Sequence, residues 1–63
     1  GDAEIADRIV NAAHSYCVDL LNAGNPSRVR EIYADIKDAK PGQAAAGRLE
    51  WIRQRASDRR SFI

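Results

Sequence analysis

The sequence predicts an all-α fold, a three-helix bundle or a helical hairpin with a third helix, and three observations carry that expectation. Apolar residues recur at three- and four-residue spacing along most of the chain. Two Pro/Gly clusters, AGNPS at 23–27 and KPGQ at 40–43, cut it into three segments of helical length. Period-two alternation and β-branched runs, the marks of strands, are scarce.

The first helix is expected over about residues 3–23. Ile5, Ile9, Ala13, Tyr16 and Leu20, with Val10, Cys17 and Leu21 beside them, fill an apolar arc nearly half a circumference wide when residues are placed at about 100° intervals. Asp7, Asn11, Ser15 and Asn22 take the other side. Gly24 is a natural stop, because glycine accepts the left-handed conformation that ends helices.

Asn25 then supplies a cap and Pro26 a first helical position, where a missing N–H costs nothing. The second helix is expected over 26–39, with Val29, Ile32, Tyr33, Ile36 and Ala39 as its stripe and Pro41-Gly42 as its terminator. A third follows over 43–59, on a narrower stripe of Ala45, Leu49, Ile52 and Ala56. Its opening Ala44-Ala45-Ala46-Gly47 is small enough to let another backbone approach closely.

A 63-residue chain forms one small domain with a small core, and such domains usually rely on disulfides, metals or association. The lone Cys17 makes no internal bridge and fits a reducing compartment, so the expected location is cytoplasmic. Self-association as a homodimer is therefore expected, through the broad arc of the first helix. Ile9, Val10, Tyr16 and Leu20 are its core or oligomer face, since one neighbouring helix does not cover so wide an arc. No apolar run approaches the roughly 18 residues of a membrane span, and the first residues lack the basic and apolar regions of a signal peptide, so no membrane partner is expected. A start at Gly rather than Met also fits a fragment of a longer protein.

Charge is unevenly distributed. Residues 1–47 carry net −2 and residues 48–63 net +3, within an overall +1. On the third helix Arg48, Arg55 and Arg59 fall along one flank of the stripe and Arg53 and Arg60 along the other, with Glu50, Gln54 and Asp58 behind. On the second, Glu31, Asp35 and Asp38 make an acidic strip at i, i+4 and i+7. Arginine stems bordering a small core are ordinary packing. The functional alternative is a recognition patch of Arg48, Trp51, Arg55 and Arg59, reading an acidic strip on a protein partner or on another copy of the chain.

Trp51 lies one turn from Arg48 and from Arg55, a ring between guanidinium groups that also suits phosphates and unpaired bases. A small nucleic-acid-binding regulator using the Arg-rich C-terminal helix is thus the second functional expectation. Against it stand a pI near 8.2, below the value above about 9 usual for a dedicated binder, and a third helix whose first turn offers only alanines and glycine beyond Gln43.

Catalysis is not expected. His14 and Cys17 form an H-x-x-C pair, but no further histidine or cysteine completes a zinc set. Cys17 or Ser15 would share that one histidine with no third group to orient it. The four glycines are dispersed, so there is no phosphate loop. No cofactor and no small-molecule substrate are expected. Phe62 and Ile63, two large apolar residues at the end, either fold back on the bundle or enter a partner. The composite expectation is a non-catalytic protein–protein interaction or oligomerisation module.

Overall fold

The computed structural model describes residues 1–57. They form three helices, α1 (Asp2–Asn22), α2 (Pro26–Ile36) and α3 (Gln43–Ser57), each packed against both others as a three-helix bundle. No strand is present among the described residues. None of the described helices is long and apolar enough to cross a membrane.

The turn after α1 follows from Gly24, whose φ of 77° is the left-handed value that a side chain resists. The Gly24 N–H donates to the Leu21 carbonyl and the Asn25 N–H to the Leu20 carbonyl, so these two carbonyls in the last turn of α1 are satisfied within the turn. Pro26 opens α2 as the sequence indicates, but the Asn25 side chain makes no capping hydrogen bond.

One boundary differs clearly. α2 ends at Ile36 rather than near Ala39, and the Ala39 N–H bonds the Ile36 carbonyl in a single turn instead. Pro41 disfavours helical geometry only in the residue before it, yet the chain leaves the helix several residues earlier, where the i→i+3 turn satisfies a final carbonyl. Asp38 consequently lies past the helix, and the acidic strip on α2 retains only Glu31 and Asp35.

Two apolar residues are buried on each helix: Val10 and Cys17 on α1, Val29 and Ile36 on α2, Ala45 and Ile52 on α3. Cys17, Val29, Ile36 and Ile52 form one cluster, against which Leu20, Leu21, Ile32, Tyr33, Leu49, Trp51 and Ala56 pack. Every large side chain in it is aliphatic or sits at its edge. At roughly 1.5–3 kcal/mol for each fully buried side chain of this kind, so few residues leave little margin over chain entropy.

Candidate functional site

Two surfaces hold the side chains singled out from the sequence. The first is the seam between α1 and α3. Arg48 Nη1 donates to Asn11 Oδ1 at 2.5 Å, and three residues further along both helices the His14 ring meets Trp51 edge-on, with centroids 4.8 Å apart and planes at 65°. The Arg55 guanidinium lies over the same indole, 4.4 Å from its centroid. Trp51 is half-buried and packs against the core cluster, so it is not the exposed centre of a patch.

The predicted quartet is therefore brought together only in part. Arg48 and Arg55 flank the seam, but one is engaged with α1 and the other with the Trp51 ring. Arg59 lies outside the described residues, as do Arg60, Phe62 and Ile63. Arg53, on the opposite flank, grips Glu50 with Nε donating at 3.0 and 2.8 Å to the two carboxylate oxygens and Nη2 donating to Oε1. That bond holds the Glu50 carboxyl below the usual glutamate range and the Arg53 guanidinium further toward its charged form. The i, i+3 spacing of the pair is visible in the sequence, where Glu50 read simply as the back of the helix.

His14 and Cys17 do not converge. His14 turns to Trp51 while Cys17 is fully buried, and burial pushes its thiol up from the ordinary value. Among the described residues no group of three or more His, Cys, Asp or Glu is placed to hold a metal ion.

The second surface is the part of the α1 arc that α2 and α3 leave uncovered. Val10 is completely buried and Leu20 packs against the core, but Ile9 and Tyr16 are 47 % and 49 % exposed and Ile5 is 61 % exposed. With Ala12, also exposed, they run along α1 at spacings of four, three and four residues. This is one continuous apolar line. Its far end is bordered by Arg28 of α2, whose guanidinium is held in its charged form by Glu31 first, at 2.7 Å, and then by the Tyr16 hydroxyl.

Comparison with protein families, with curated proteins and with solved structures finds no match to this chain in any of the three.

Proposed function

We propose that this chain is a small non-catalytic protein–protein interaction module, and that its contact surface is the line Ile5, Ile9, Ala12 and Tyr16 on α1. The observation that carries the proposal is the exposure of three large apolar side chains in one row on a helix whose adjoining arc is already covered. Scattered apolar residues are normal on a protein surface, whereas an aligned row on one helix face is the form in which amphipathic helices meet partners.

The arginines of α3 support this choice indirectly. Arg48 and Arg55 have partners within the bundle, and Trp51 has little free ring to offer an unpaired base. Binding of nucleic acid through α3 would have to displace those contacts. The recognition role passes from α3 to α1, while Arg48 closes the seam and Arg55 covers the Trp51 ring.

A photoreactive phenylalanine analogue at position 9, introduced into the full chain in extract of its source cells, tests the assignment. Covalent adducts to protein, whether to this chain or another, are the expected result. An analogue at exposed Asp35 reports neighbours beside the row, and one at Gln54, also exposed and on the back of α3, serves as control. Adducts at position 54 equal to those at 9, or none at 9, would overturn the assignment.

A further inference from the structure

We draw no further inference here: the strongest candidate, the exposed apolar row of Ile5, Ile9, Ala12 and Tyr16 on the outer surface of α1, belongs to the contact surface already proposed, and nothing in the structure shows what covers it.

Discussion

The Asp7 carboxylate accepts a hydrogen bond from the Gly42 N–H at 2.5 Å, so a residue in the second turn of α1 closes the start of α3. The Gly42 carbonyl accepts from the Ala46 N–H at 2.9 Å, the first bond of that helix. Asp7 thus caps α3 from another helix, placing a negative group where the helix dipole is positive. A β-carbon at Gly42 would sit 3.2 Å from Asp7 Oδ2, too close without movement of the carboxylate by a few tenths of an ångström.

Asp7→Ala should therefore cost about 1 kcal/mol of folding stability, in the range of a lost N-cap. Gly42→Ala should destabilise in the wild-type background and less in the Asp7→Ala background, where nothing resists the new methyl. Urea denaturation of the four members of the cycle measures the coupling. Strict additivity would mean that the carboxylate is not held at Gly42.

Ile52 is fully buried and Ile9 is half exposed, yet both lie in apolar stripes of the sequence. Truncating Ile52 to Ala removes core contacts and leaves a cavity, a loss of about 2–5 kcal/mol that is comparable with the whole stability of so small a domain. Ile9→Ala, measured at a concentration low enough to avoid association, should cost well under half as much. Thermal unfolding followed at 222 nm distinguishes them.

Arg55→Ala should lower stability by about 0.5–1 kcal/mol, through loss of the stacked guanidinium and its stem. It should also shift the Trp51 emission to the red as water reaches the exposed ring face. The corresponding change at Gln54, exposed on the back of α3, should move neither quantity. A silent Arg55 variant would show that the cation–π geometry is not maintained in solution.

Burial raises the Cys17 thiol above its ordinary value, so the native state retains that proton where the unfolded chain releases it. The contribution is fully present below the unfolded thiol pKa and is lost as pH rises from there through the folded value. Stability should thus decline in the alkaline range, and Cys17→Ala should flatten that part of the profile. An aromatic disulfide reagent should react slowly with the folded protein and rapidly in denaturant, the rate following the population of opened molecules.

Helix number and type were legible because period and punctuation agree: Gly24 and Pro26 fix one turn and Pro41 with Gly42 a second. The end of α2 was not legible, since Ala39 continues the apolar spacing while its N–H is used in a turn to Ile36. Periodicity alone also failed to divide the α1 arc. Val10 and Ile9 are neighbours in sequence and equally apolar, and only the positions of α2 and α3 decide that one is buried and the other wet. For Trp51 the sequence shows only the turns it shares with Arg48 and Arg55, and an indole is long enough to lie back over the seam, where His14 receives it. The bonds Asp7 to Gly42 and Asn11 to Arg48 span 35 and 37 residues, and no local pattern announces such partners.

The buried positions come as Val10 and Cys17, Val29 and Ile36, Ala45 and Ile52, each pair seven residues apart. Two turns of helix separate the members of a pair by about 10.5 Å, so the interior is two storeys high and each helix supplies one residue to each storey. Specification of this fold is accordingly concentrated in a short cipher of two letters per helix. Ile5, Ile9, Ala12 and Tyr16 lie outside that cipher, so the row on α1 can be rewritten while these six positions stay as they are.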